Sequence, residues 1–155
     1  MKNDCGQRVY VDHLLAEHRR LDHLISRTVA TLPSWEDTDA ATWLPGMIAG
    51  LTAIRDELAH HFQEEEAGGC LEEAVAYCPG LSSEVTDIEA DHVKLLADVD
   101  ELIQRARQLT APTARDAHVL GQELQVVVQE LRVHEVQENR IMQRGFGLNL
   151  EGDDA

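Results

Sequence analysis

Apolar residues recur every three or four positions along four long segments of the chain, which is the spacing of one buried face of an α-helix. Glycine and proline fall mainly between these segments: Pro33 ends the first, and Gly68 and Gly69 end the second. The stretches "CPGLSS" and "TAPT" precede the third and the fourth. The predicted helices cover about 9–31, 40–66, 83–109 and 113–144, with a possible short helix around 70–77.

Four helices joined by mostly short links predict an all-α fold, namely an up-down-up-down antiparallel four-helix bundle. A chain of 155 residues fits a single domain over 1–155. The bundle is expected to occupy about 9–144, and the acidic tail 145–155 is expected to be mobile.

Polar residues interrupt the buried face of each helix at one place. A lone histidine in such a face is commonly a hydrogen-bonded core residue. An ionised glutamate there costs several kcal/mol unless it is paired or bound to a metal. In an antiparallel bundle the six interruptions fall at about the same level, so they predict a metal site. The candidate ligands are His18, His61, Glu65, His92, His134 and Glu138.

The apolar residues that flank these interruptions define the four predicted faces. The first helix has Val11, Leu14, Leu21 and Ile25, and the second has Met47, Leu51, Ile54 and Leu58. The third has Val85, Ile88, Leu95, Val99 and Leu102, and the fourth has Leu120, Leu124, Val127, Leu131 and Ile141.

Histidine and glutamate four residues apart point to the same side of a helix, as in "HFQEE" from His61 and "HEVQE" from His134. Mixed imidazole and carboxylate donors suit iron, manganese or zinc. Two carboxylates that bridge two ions would also neutralise the buried charge. Coordination positions then remain for solvent, an oxo or hydroxo bridge, or a small ligand, as in a reactive centre rather than a closed structural site.

The order of these motifs resembles the hemerythrin-like HHE cation-binding domain over about 9–144. The residues that carry the resemblance are "EHRRL" at 17–21, "HFQEEE" at 61–66, "DHVKL" at 91–95 and "HEVQEN" at 134–139. The resemblance implies two non-haem iron ions bridged by Glu65 and Glu138. It also implies reversible O2 binding, or reaction with O2, nitric oxide or peroxide.

Two departures from the oxygen-carrying members favour turnover of small oxidants, sensing or iron handling over stable oxygen carriage. Those members have a fifth histidine one turn from the third-helix ligand, whereas Ile88 and Leu96 stand four residues either side of His92. Their last helix ends its motif with an aspartate five residues after the histidine, whereas Glu138 comes four after. Peroxidase-like, catalase-like or NO- or O2-reducing activity is compatible with this centre. Glu89 is the candidate for an extra ligand, or for a hydrogen-bond acceptor beside His92.

Three other interpretations remain open. A ferritin-like carboxylate site would use the ExxH pairs "ELAH" at 57–60 and "EADH" at 89–92, although Glu57 and His60 lie off the buried face. A redox, O2 or NO sensor, or an iron-handling module, would act through a partner protein that the sequence does not identify. An acidic bundle with structural histidines is the third. His60, Glu64 and Glu66 are expected on the surface or beside the ligands.

Composition narrows the partners and the location. The chain has 29 acidic and 13 basic residues and a formal net charge of −16, which weighs against binding to nucleic acid or to an anionic membrane. No apolar run is long enough to span a bilayer, and "MKNDCGQRVY" lacks the hydrophobic core of a secretory signal, so we expect a cytoplasmic location. Cys5, Cys70 and Cys78 form no CxxC pair, and we expect free thiols without an assigned role.

Overall fold

The computed structural model describes residues 4–33 and 42–148, with side chains from residue 7 onward in the first range. All elements in these ranges are helical, so the predicted all-α class is confirmed. They are α1 (Asp4–Ala30), α2 (Trp43–Ala67), α3 (Cys70–Tyr77), a 3-10 turn (Pro79–Leu81), α4 (Ser82–Gln108) and α5 (Ala114–Phe146). The four predicted long helices and the possible short helix are all present.

The helix ends follow local sequence signals. Thr113 caps α5 in a reciprocal pair with Asp116, in which each side chain bonds to the other residue's backbone N–H. Pro45 lies in the first turn of α2, where a backbone N–H has no partner within the helix. Gly147 takes a left-handed conformation with φ 66 at the end of α5.

The fourth long helix continues beyond its predicted end at about 144. Phe146 is the last residue of α5 and is 3% exposed, and Leu148 packs against the same apolar cluster. Burial of the aromatic ring therefore extends the helix and fixes the start of the segment predicted to be mobile. The remaining residues of that predicted tail, 149–155, lie outside the described residues.

The long helices pack on one another in chain order: α1 contacts α2, α2 contacts α4, and α4 contacts α5, which also contacts α1. Ion pairs between α4 and α5 show that these two helices run in opposite directions, because the residue number falls in one helix as it rises in the other. The pairs are Glu84–Arg144, Lys94–Glu130 and Arg105–Glu123.

The predicted buried faces are confirmed, since every apolar residue assigned to them is at most 8% exposed. These residues divide into two apolar clusters. The larger cluster includes Leu21, Leu58, Leu95 and Leu131, and the smaller includes Leu14, Cys70, Ile88 and Ile141. Along each long helix the polar interruptions fall next to the boundary between the two clusters. The fold therefore encloses a polar layer between two apolar cores.

Among the described helices, none is both long enough and apolar enough to cross a membrane. Cys70 and Cys78 are free thiols, as expected, and Cys70 is buried with its Sγ 3.4 Å from Met142 Sδ. The side chain of Cys5 lies outside the described residues.

Candidate metal centre

The structure brings all six candidate ligands together in the polar layer, and each is at most 7% exposed. They form two groups of four whose ligand atoms lie within 4.8 Å of one another. One group is His18, His61, Glu65 and Glu138, and the other is Glu65, His92, His134 and Glu138. Both glutamates therefore belong to both groups, and either group could hold a metal ion.

Glu138 divides its two carboxylate oxygens between the groups. Its Oε2 lies 3.2 Å from His18 Nε2 and 3.6 Å from His61 Nε2. Its Oε1 lies 3.8 Å from His92 Nε2 and in close contact with His134 Nε2. One carboxylate thus faces two pairs of imidazoles.

Glu65, on α2, also divides its two oxygens between the groups. Its Oε1 lies 2.6 Å from His61 Nε2, and its Oε2 lies 3.0 Å from His92 Nε2. In every one of these contacts the imidazole presents Nε2. The geometry is that of two carboxylates that each span two neighbouring positions.

Several of these atoms are buried without a hydrogen-bond partner. They are both carboxylate oxygens of Glu65, Oε1 of Glu138, and Nε2 of His92 and of His134. Their separations are short, but the angles are not those of hydrogen bonds. Buried polar atoms without partners are costly, and a cation bound among them would satisfy them. The residues therefore fit a bound metal ion.

The second ring nitrogen of two ligands is held by a carboxylate outside the layer. His61 Nδ1 lies 2.5 Å from Glu17 Oε2, and His92 Nδ1 lies 3.0 Å from Glu66 Oε1. Such acceptors fix the orientation of the ring and increase the donor strength of Nε2. Phe62 stacks on His92 with ring centroids 4.0 Å apart and further restricts that imidazole.

Glu17 is a site residue that the sequence interpretation missed, although its side chain is almost completely buried, at 2% exposure. It directly precedes His18, so it lies off the predicted buried face of α1. Its burial comes from the packing of α1 on α2, which the periodicity of α1 alone does not show. The spacing of four residues from His13 is the one sequence signal that could have pointed to it.

Glu89 requires a correction, because the structure does not bring it to the centre. Its side chain is exposed on α4, and it belongs to neither ligand group. A position three residues before His92 lies about 60° around the helix from it, at the edge of the buried face, and no packed neighbour covers Glu89 there. The acceptor beside His92 is instead Glu66, which comes from α2.

The charges of the layer are strongly coupled. Burial alone would lower the pKa of an imidazole, but the nearby carboxylates of Glu138 and Glu65 raise the pKa of His61 to about 11 and that of His92 to about 10. Burial likewise opposes ionisation of Glu138, yet the surrounding imidazoles, His134 foremost, hold its pKa well below the usual range.

A surface groove of about 440 Å³ between α4 and α5 reaches the layer at His134. Leu95 and Val133 contribute its apolar wall, and Asp91 and Lys94 contribute charges at its rim. His134 Nδ1 lies 3.6 Å from Asp91 Oδ2 on this side. The groove therefore borders the polar layer at His134.

Comparison of the chain with protein-family models, with curated proteins and with solved structures gave no significant match. Fold and site nevertheless define a class: an all-helical protein with a buried histidine and glutamate site that could hold a metal ion.

Proposed function

We propose that this chain is a hemerythrin-like di-iron protein that binds or reacts with O2, peroxide or nitric oxide. In this proposal the long helices form an antiparallel up-down-up-down bundle, and Glu65 and Glu138 bridge two non-haem iron ions. The observation that carries the proposal is that each of the two carboxylates places one oxygen toward one ligand group and the other oxygen toward the other group. A cytoplasmic location remains a prediction.

The donor set favours a metal that prefers more than four ligands. Each group offers two imidazole nitrogens and two carboxylate oxygens, which would complete a tetrahedral zinc site. The same four donors leave open positions on a six-coordinate iron or manganese ion. Iron is preferred over manganese because a pair of iron ions, when bound, supplies the electron-transfer chemistry that small oxidants require.

The protein residues orient the ligands and limit access to them. Glu17 and Glu66 hold the rings of His61 and His92 by their Nδ1 atoms. The two apolar clusters exclude water on both sides of the layer, which strengthens electrostatic interactions within it. The groove at His134 leaves room for a small molecule.

The metal content and spectrum of the protein test this proposal. Protein from iron-supplemented cells is expected to contain two iron ions per chain, with charge-transfer absorption that shifts when azide or peroxide is added. His61→Ala and His134→Gln should each reduce the bound iron. His23→Ala, which changes an exposed histidine of α1, should retain it. Circular dichroism checks that each variant is folded.

Two results would overturn the proposal. One is wild-type protein that retains neither iron nor manganese under these conditions. The other is a folded His61→Ala variant with the metal content and stability of the wild type.

A sensor that acts through a partner protein is the second candidate, and one surface feature favours it. Val119, Val126 and Val133 repeat every seven residues along α5 and are 38%, 60% and 59% exposed. Exposed apolar side chains in one stripe are typical of interaction surfaces. Size-exclusion and pull-down measurements on oxidised and reduced protein test this candidate. Identical oligomeric state and identical partners in both forms would remove its support.

A further inference from the structure

A second cluster of histidine and glutamate lies at the surface between α1 and α2. His13 Nε2 is 3.1 Å from Glu17 Oε1 and 3.0 Å from Glu64 Oε2. The ligand atoms of these three residues all lie within 4.8 Å of one another. His60 Nε2 lies beside them, 3.1 Å from Glu64 Oε1 and 4.0 Å from Glu17 Oε1. Two imidazoles thus face two carboxylates.

The cluster uses the same spacing as the buried centre. His13 and Glu17 are four residues apart on α1, and His60 and Glu64 are four residues apart on α2. The second pair precedes His61 and Glu65 by one residue, which rotates it by ~100° around the helix, out of the buried layer. His61 and Glu65 therefore face the buried layer, while His60 and Glu64 face the surface cluster.

Glu17 distinguishes this cluster from an ordinary polar surface. Its side chain is 2% exposed, and its Oε1 points at His13 without a hydrogen-bond partner. Its other oxygen, Oε2, lies 2.5 Å from His61 Nδ1. A buried carboxylate oxygen without a partner is costly, and a cation shared with the neighbouring donors would satisfy it.

We propose that His13, Glu17 and Glu64, with His60 beside them, form an outer site for a divalent cation. Imidazole and carboxylate donors suit Zn²⁺, Mn²⁺ or Fe²⁺ and not a metal that requires thiolates. The side chains of His13 and His60 are 52% and 58% exposed, so this ion exchanges with solvent directly. The buried centre has no ligand with such exposure.

Glu17 connects the two sites, and this step rests on the proposed function of the centre. A cation at Oε1 would draw charge from the carboxylate and weaken its hydrogen bond with His61 Nδ1. Weaker acceptance at Nδ1 lowers the donor strength of His61 Nε2 toward the centre. Occupancy of the outer site therefore modulates the buried centre, and by linkage the centre modulates the affinity of the outer site.

Equilibrium dialysis of metal-free protein against Zn²⁺, followed by metal quantification, tests the outer site. The double variant His13→Ala/His60→Ala should bind one Zn²⁺ ion fewer per chain than the wild type. Both histidines are exposed, so the variant should fold normally. The control is His23→Ala/His118→Ala. It removes one histidine from α1 and one from α5, and both lie outside the two sites. It should bind as many ions as the wild type.

The outcomes separate the two sites. Equal Zn²⁺ binding by wild type and His13→Ala/His60→Ala would overturn the outer site. The variant His134→Gln tests the buried centre separately, because His134 contacts neither Glu17 nor the surface cluster. If His134→Gln leaves binding unchanged while the double variant loses one ion, the centre is overturned and the outer site is supported.

The effect of an outer ion on the buried centre through Glu17 can be measured separately, from the absorption spectrum of iron-loaded protein. Addition of Zn²⁺ should shift the absorption spectrum of the centre in the wild type and leave it unchanged in His13→Ala/His60→Ala. A wild-type spectrum that does not respond to Zn²⁺, although the outer ion binds, would overturn the connection.

Discussion

The Glu66 carboxylate contacts the candidate metal ligand His92 from a position that is itself exposed. Its Oε1 lies 3.0 Å from His92 Nδ1, while its side chain is 45% exposed. The interaction orients an imidazole without contributing to the core. Its effect on metal binding can therefore be separated from its effect on folding.

Glu66→Ala is expected to lower the affinity of the centre for metal about 10-fold or more while leaving the unfolding free energy nearly unchanged. The physical reason is that His92 loses the acceptor that fixes its ring. Competition with a chelator of known affinity measures the change. Glu89→Ala is the matched control, since Glu89 is exposed on α4 and belongs to neither ligand group. Equal affinity in the two variants would contradict the assigned role of Glu66.

These residues show what the sequence can and cannot reveal about the site. The six candidate ligands were identifiable because each continues the apolar periodicity of its own helix, which is a local property. Glu17 and Glu66 act across the interfaces between helices, so their roles depend on how α1, α2 and α4 pack. Glu89 was misassigned for the same reason, because its orientation toward solvent follows from that packing.

At the level of elements, α1 and α2 approach closely where Gly50 faces Thr28. A Cβ atom at Gly50 would lie 2.7 Å from Thr28 Cγ2 and 2.9 Å from Thr28 Cβ. Thr28 is buried, and its Oγ1 donates a hydrogen bond to the Leu24 carbonyl oxygen. The Thr28 side chain therefore has little freedom to move away from a Cβ atom at Gly50. The absence of a side chain at Gly50 thus sets the distance between the helices that carry His18 and His61.

Gly50→Ala is expected to destabilise the protein by roughly 1–3 kcal/mol, because overpacking at the crossing outweighs the better helix propensity of alanine. Gly46→Ala, one turn earlier on the same helix, meets its nearest neighbour at 3.4 Å and should be neutral or stabilising by up to about 1 kcal/mol. Urea denaturation measures both. A Gly50→Ala variant as stable as Gly46→Ala would contradict the close approach.

The helices themselves were predictable because periodicity, glycine, proline and capping residues act locally. The residues at which the helices end were less predictable. The fourth long helix extends to Phe146 because the ring is buried against the smaller apolar cluster, a contact that depends on residues distant in sequence. The order in which the long helices contact one another follows their order in the chain.

At the scale of the whole molecule, the two apolar cores are joined by a layer of buried charge. In this layer the carboxylates of Glu65 and Glu138 lie among four imidazoles. A cation that binds this layer binds the native state and has no equivalent site in the unfolded chain. Folding and metal binding are therefore thermodynamically linked.

Chelator treatment should consequently lower the melting temperature of the iron-loaded protein. A metal present at about 100 times its dissociation constant stabilises the native state by about 2.7 kcal/mol. Differential scanning calorimetry before and after chelation, and after iron is restored, measures the shift. A melting temperature that chelator and iron leave unchanged would instead support a bundle with structural histidines.

The central claim is that two metal ions share Glu65 and Glu138, and anomalous diffraction collected on both sides of the iron absorption edge tests it most directly. The expected map has two iron peaks in the polar layer, one beside His18 and His61 and the other beside His92 and His134. Both peaks should contact oxygens of both glutamates. A layer without anomalous density in iron-loaded crystals, or a single ion that contacts only one of the two glutamates, would contradict the claim.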